Sequence, residues 1–261
     1  MRILVMTDIE GVTGVTTFPQ AENSEFGRSM LMNDLQAVLS GIRDAGAEAV
    51  VYDMHTDGRN VSLSDVDVPV VMGKPINSGL YRSVGSAVDA LFLVGLHTMQ
   101  HTGALLAHSY LREYDAIYIN NTLMGEIGVE AALAGEQGIP LLFVSGDDKG
   151  CEEAAALIPG ITTCAVKKSL GPEAALCQPP CVTGPLLRRA AKAAAQSALP
   201  PFRLAPPYEI RIEYSQCRYL SVMKHLHPEI FTGDHVVTMH GDSLLKVWSQ
   251  YLLLEKEMVN A

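Results

Sequence analysis

Asp8 and Glu10 stand two residues apart, directly after the apolar run Ile3-Leu4-Val5-Met6, and are followed by Gly11 and Gly14. Alternate residues of an extended chain point the same way, so both carboxylates can face one point. Two acids aimed at one point repel unless a cation or a proton lies between them. The competing reading for this pair alone is a solvated turn. Asp53 and His55 repeat the arrangement after Ala49-Val50-Val51-Tyr52, His97 follows Leu93-Val94-Gly95-Leu96, and Glu126 comes after Ala116-Ile117-Tyr118-Ile119 at the start of a helix. A single histidine so placed is more often an ordinary loop or core residue. Their joint placement carries the reading, because the carboxyl ends of strands in an open parallel sheet line the crevice where ligands bind.

The set Asp8, Glu10, His55, His97 and Glu126 is rich in carboxylates and holds two imidazoles. Oxygen ligands alone would suit magnesium or calcium, and thiolates would mark a structural zinc. A mixed set with too many donors for one tetrahedral ion suits two Zn²⁺ or two Mn²⁺ ions that share a carboxylate, and Asp8 is the natural bridge. Asp53 is then a supporting acid or a capping residue. His108, eleven positions beyond His97, either completes the metal sphere or acts as an acid–base group; His101, between them, reads as incidental.

The elements that must position these residues follow from periodicity. Met30, Leu31, Leu35, Val38, Leu39 and Ile42 recur at three- and four-residue spacing, which puts one apolar stripe on a helix that Gly46 ends. Apolar runs at 3–6, 49–52, 90–94, 116–119 and 141–144 read as strands, with a helix over about 126–137. Strands buried on both faces read as continuous apolar runs, and strands separated by helices imply right-handed crossovers. The expected fold is therefore α/β, a three-layer sandwich with a largely parallel sheet over residues 1–168, plus a smaller C-terminal α+β part over 169–261. That second part begins Ala- and Pro-rich, with a helix near 183–198 and an exit through Pro200, Pro201, Pro206 and Pro207. Strands at 208–214 and 235–240 follow, then a helix over about 243–257 carrying Leu244, Leu245, Trp248, Tyr251 and Leu252. Its expected roles are oligomerisation and covering of the pocket.

Composition narrows the function classes. With 48% hydrophobic and 18% charged residues, the 261-residue chain can bury a sizeable core. A net charge of −10 argues against a nucleic-acid binder, and Arg188, Arg189 and Lys192 read as the wet face of a helix. The first apolar run is broken by Asp8 and Glu10, unlike a secretory signal, and no stretch reaches the ~20 apolar residues of a membrane span. The five cysteines include no C-x-x-C pair, so free thiols in a reducing cytoplasm are expected.

At these residues the sequence resembles the D-aminopeptidase family, peptidase family M55. The resemblance is carried by Asp8-Ile9-Glu10-Gly11 with Gly14, Asp53-Met54-His55, Gly95-Leu96-His97, His108-Ser109, Ile119-Asn120 with Gly125-Glu126-Ile127-Gly128, and Gly146-Asp147-Asp148. These strings come in the family's order and at about its spacing over residues 1–148. Ile158-Pro159 and Ala165-Val166-Lys167 also fit, and the C-terminal third is looser. The resemblance implies a dinuclear zinc aminopeptidase acting on short peptides, those containing D-residues included, and assembled into a ring-shaped homo-oligomer with enclosed sites. By that resemblance Asp8 bridges the ions, Glu10 and His55 complete one site, His97 and Glu126 the other, and His108 matches the catalytic histidine. The chain departs from the pattern at Asn121, where the typical member has an acid, and in the loops 98–104 and 122–124, which bear on D- against L-preference. Two other classes stay open on the residues alone. One is another two-metal hydrolase, an amidase or a phosphoesterase. The other is a non-catalytic α/β protein, whether ligand-binding or purely structural, although no G-x-G-x-x-G or Walker string is present.

Overall fold

The computed structural model describes residues 1–84, 87–215 and 220–260. In chain order the first elements are β1 (Arg2–Thr7), α1 (Phe18–Asn23), α2 (Glu25–Asp44), β2 (Glu48–Asp53), β3 (Val70–Val71), α3 (Asn77–Val84) and β4 (Ala90–Leu96). Next come β5 (Tyr114–Ile119), β6 (Thr122–Met124), α4 (Glu126–Glu136), β7 (Leu141–Asp147), α5 (Asp148–Leu157), β8 (Thr162–Gly171), β9 (Ala174–Cys177) and α6 (Pro180–Ala195). The last third adds β10 (Tyr208–Tyr214), α7 (Leu220–Leu226), β11 (Phe231–Gly233), β12 (Val236–Gly241) and α8 (Leu244–Asn260).

The apolar runs become strands because both faces of the sheet they form are covered. The first sheet has the order β3-β2-β1-β4-β7-β8-β9, parallel except for the β8–β9 pair. Side chains alternate across it. Ile3, Val5, Ala49, Val51, Phe92 and Val94 pack on one side against Leu31, Leu35 and Val38 of α2 and Leu187 and Ala191 of α6. Leu4, Met6, Val50, Tyr52, Leu91 and Leu93 face the other side, where Ile127 and Ala131 of α4 and Trp248 and Tyr251 of α8 join residues of a second sheet. The expected α/β sandwich with a largely parallel sheet is the fold observed.

Two expectations about its parts change. The run 116–119 does not join the parallel sheet. As β5 it pairs antiparallel with β10 and β6 in a five-stranded sheet of order β11-β12-β10-β5-β6. The segment 122–124, read as a loop, is β6. Asn120 and Asn121, both at positive φ (50° and 61°), form the two-residue connection that such hairpins favour. Residue 168 does not separate the sheets either. It falls inside β8, and α6 packs on the first sheet while β5 and β6 pair with the C-terminal strands. Strand partners distant in sequence decide this, and an apolar run looks the same in either sheet. The C-terminal helix starts at Leu244, and the Ala-rich helix covers 180–195 rather than 183–198. Among the described residues no helix is long and apolar enough to cross a membrane.

Chain direction matters most for the site. β2 and β4 flank β1 on opposite sides, so the order reverses at β1, and a crevice opens beyond the carboxyl ends of these three strands.

Candidate metal centre and active site

Asp8 follows β1, His55 follows β2 and His97 follows β4, so three adjacent strands deliver their side chains to the same edge. Gly11 lets the first loop lie against the third strand: its N–H donates to the Gly95 carbonyl at 2.7 Å, and a Cβ there would stand 1.8 Å from the Leu96 oxygen. Glu126 comes from a different layer, as the first residue of α4. All five predicted ligands are buried.

Their atoms meet around Asp8. One carboxylate oxygen, Oδ1, lies 2.8 Å from His55 Nδ1, and the other, Oδ2, lies 3.4 Å from His97 Nε2. Glu10 Oε2 is 3.1 Å from His55 Nδ1, and Glu126 Oε1 is 3.4 Å from His97 Nε2. Yet Glu10 Oε2 and His97 Nε2, both buried, make no hydrogen bond of regular geometry. Donors around a tetrahedral ion with 2.0–2.1 Å bonds stand roughly 3.3 Å apart. Buried atoms at such separations without hydrogen-bond geometry fit donors arranged about a shared point.

The backbone orients each imidazole. A carbonyl only accepts, so His55 Nε2–H donates to Ala21 at 3.2 Å and His97 Nδ1–H donates to Thr98 at 3.0 Å, which leaves the opposite nitrogen of each ring bare toward the acids. The same logic holds for His108, whose Nδ1–H donates to the Leu106 carbonyl at 2.9 Å. Its ring stacks on that of His97, centroids 4.1 Å apart, and meets Phe18 edge-on at 5.3 Å. Two sets of donor atoms fall within 4.8 Å of one another: Asp8, Glu10 and His97, and His97, His108 and Glu126.

Electrostatics say what the cluster needs. Burial alone would raise Asp8, but hydrogen bonds and charge from His55 and His97 hold it well below the usual carboxylate range. Burial likewise works against a charge on His55, and the hydrogen bonds and charges of Asp8 and Glu10 overcome it, pushing the imidazole up to about 11. His97 is raised in the same way, by Asp8 and Glu126. The acids demand positive charge among them, either as protons on both rings or as metal ions. Donor types, orphaned atoms and spacing all fit the metal. His108 moves the opposite way, lowered first by burial and then by the charge of His97.

The other sequence candidates separate cleanly. Asp53 accepts from the backbone N–H groups of Asn60 and Val61 and so organises the loop after β2. His101 is exposed, 3.4 Å from Asp115, and stands outside the donor groups.

Sequence reasoning missed Lys167. Its buried ammonium, on β8, donates to the carbonyls of Glu10, Val12 and Val15 and thereby clamps the loop that carries two of the acids. Only its place in the string Ala165-Val166-Lys167 drew notice, because a buried lysine looks like any other in sequence. Lys167→Met leaves three carbonyls without their charged donor. It should cost about 3 kcal/mol or more and lower the metal content recovered after dialysis, as read by melting temperature and elemental analysis. A variant with wild-type stability and metal content would show that the clamp is dispensable.

The donor cluster opens into a cavity of about 570 Å³ lined by Phe18 and Glu22 of α1, Lys74, Tyr110, Glu130 and, from α8, Trp248 and Leu252. The profile of peptidase family M55, described as D-aminopeptidase, matches residues 1–252. The chain belongs to this family. A D-aminopeptidase of Bacillus subtilis (strain 168) is 27% identical over 266 aligned positions, covering 97% of this chain and 96% of that one. A solved structure described as the Zn-dependent D-aminopeptidase DppA from Bacillus subtilis, a self-compartmentalizing protease, superposes with a TM-score of 0.91 at 24% identity, covering 100% of this chain and 99% of the other. That likeness speaks to the fold. As a member of family M55 the chain is a peptidase, a hydrolase of amide bonds.

Proposed function

We propose that this family M55 member is a zinc-dependent aminopeptidase with two ions per chain, Mn²⁺ being the other ion its donors suit, and that it releases the N-terminal residue of short peptides, D-residues included. The observation that carries this is Asp8, whose two oxygens face two different histidines, each accompanied by its own glutamate. In this reading Asp8 bridges, Glu10 and His55 hold one ion, and His97 and Glu126 hold the other. Bound there, such ions would polarise a carbonyl and lower the pKa of a bound water to about 7.

The chain's own residues supply the rest. Ala21 and Thr98 keep His55 and His97 in the tautomer that offers a bare nitrogen, and Lys167 keeps the Asp8–Glu10 loop in place. His108, with Nδ1 tied to Leu106, presents Nε2 as the group that passes a proton to the departing amine. Trp248 and Leu252 of α8 line the cavity, which supports a covering role for the C-terminal part of the chain. Enclosure within a ring-shaped homo-oligomer belongs to the same reading, supported by the description of the Bacillus subtilis structure as self-compartmentalizing. So does a cytoplasmic setting, in which Cys151, Cys164, Cys177 and Cys181 remain free thiols; Cys217 lies outside the described residues.

Elemental analysis together with rates on D-Ala-D-Ala, L-Ala-L-Ala, amino-acid amides and p-nitrophenyl phosphate tests the reading. Two equivalents of metal per chain and turnover of dipeptides are expected, and chelation should abolish the rate and lower the melting temperature, because a ligand of the folded form stabilises it. Phosphatase activity without peptidase activity would move the protein to another two-metal class. Metal-free protein with an unchanged melting temperature on chelation would remove it from this chemistry altogether.

A further inference from the structure

Glu130 plays no part in the donor set, although it stands on α4 four residues after Glu126. Side chains four apart share a helix face, with about 5–6 Å between their Cβ atoms. Glu130 is only 4% exposed and lines the cavity. Tyr110 spans the two glutamates: its backbone N–H donates to Glu126 Oε1 at 2.6 Å and its hydroxyl to Glu130 Oε1 at 3.0 Å. The remaining oxygen, Glu130 Oε2, has no hydrogen bond of good geometry. Burial and the charge of Glu126 push the Glu130 carboxyl up to about 7, against the hydrogen bonds of Tyr110 and Asn77 and the charge of Lys74. A cation brought to it would therefore be balanced by a charge that burial disfavours in its absence. The Lys74 ammonium itself donates to the Met54 carbonyl at 2.5 Å. A buried carboxylate oxygen left without a donor is costly, so such an atom on a cavity wall marks a place for a donor from outside the chain.

We propose that Glu130 receives the α-ammonium group of the peptide and so restricts cleavage to the first residue. This rests on the aminopeptidase reading. In a peptide the α-nitrogen lies about 2.5 Å from the scissile carbonyl carbon, one tetrahedral carbon away. With that carbonyl beside the Glu126 donor cluster, the ammonium falls within reach of a carboxylate one helical turn along α4. Glu113 and Glu255 also line the cavity, but neither lies on an element that carries a member of the donor set. Tyr110 holds the Glu126 and Glu130 carboxylates in fixed relation, so chemistry and amine recognition share one frame.

Glu130→Gln keeps the shape and the contact with Tyr110 and removes the charge. The metal-loaded protein and this variant are compared on D-alanine p-nitroanilide and on propionic acid p-nitroanilide, the same acyl group without its amine. The ratio of the two kcat/KM values should fall about thirtyfold, mainly through KM, as expected for loss of a charge-assisted contact, and Glu130→Asp should restore part of it. Calorimetry provides a second readout: the preference for binding D-alaninamide over propionamide should fall by a similar factor. An unchanged ratio overturns the proposal. So does an equal fall on both anilides with loss of metal, which would make Glu130 a support of the metal centre. If the wild-type protein cleaves neither anilide yet binds D-alaninamide through Glu130, the aminopeptidase reading falls while the amine site stands.

Discussion

Replacing His108 with alanine should lower kcat by about 10²–10⁴, the range for loss of a general acid–base group, with both metal equivalents retained. Amide hydrolysis fails unless the leaving nitrogen gains a proton, and His108 is the imidazole of the site with no carboxylate bonded to it. Its Nδ1–H is fixed on the Leu106 carbonyl, and its ring lies flat on His97 at 4.1 Å. That stacking places Nε2 beside the donor cluster without committing it to an acid. Burial, ahead of the other influences, disfavours its protonated form, which suits a ring that takes a proton and passes it on. His108 also lies within 4.8 Å of donor atoms of His97 and Glu126, which gives it the alternative of being a ligand. Elemental analysis of His108→Ala decides between these. Metal retained with turnover lost supports the acid–base role, and metal lost makes His108 part of the coordination sphere.

Asp8→Asn should be more damaging. The amide keeps the size of the carboxylate but halves its capacity to accept and removes the charge that both imidazoles face. With the bridge gone, the expected outcome is a fall to one metal equivalent or none, and a loss of activity of about 10³-fold or more. That figure corresponds to the several kcal/mol of transition-state stabilisation a metal supplies, at 1.36 kcal/mol per tenfold. Chelation, which should lower the melting temperature of the wild-type protein, should leave that of the variant unmoved, because a ligand that does not bind cannot stabilise. A variant that holds two ions and still responds to chelator would remove Asp8 from the centre of the site.

Much of this site was legible in the sequence because its chemistry is local. Asp8 and Glu10 follow an unmistakable buried strand, and His55 and His97 follow two others. In a parallel sheet the end of a strand is by itself an address. The donor types then suit the proposed zinc without any knowledge of distances. The stripe from Met30 to Ile42 and the runs at 3–6, 49–52, 90–94 and 141–144 likewise determined their own structure, since burial on one stripe or on both faces leaves a pattern in the chain.

What lay beyond the sequence is everything that depends on a distant partner. An apolar run such as 116–119 is compatible with either sheet, and only its pairing with β10, some ninety residues later, placed it in the antiparallel one. Glu126 therefore enters the site from another layer, carried by α4 after a hairpin, instead of from a neighbouring strand of the parallel sheet. The roles of Lys167 and Glu130 were hidden, because lysine and glutamate are ordinary surface residues until the fold buries them. One becomes a clamp by meeting three carbonyls from the start of the chain, and the other lines a cavity with one of its two carboxylate oxygens held by Tyr110. Residue types and their local spacing determined which chemistry this protein can do. Tertiary packing alone decided which polar groups lose their water and therefore which ones must find a metal, a carbonyl or a substrate in its place.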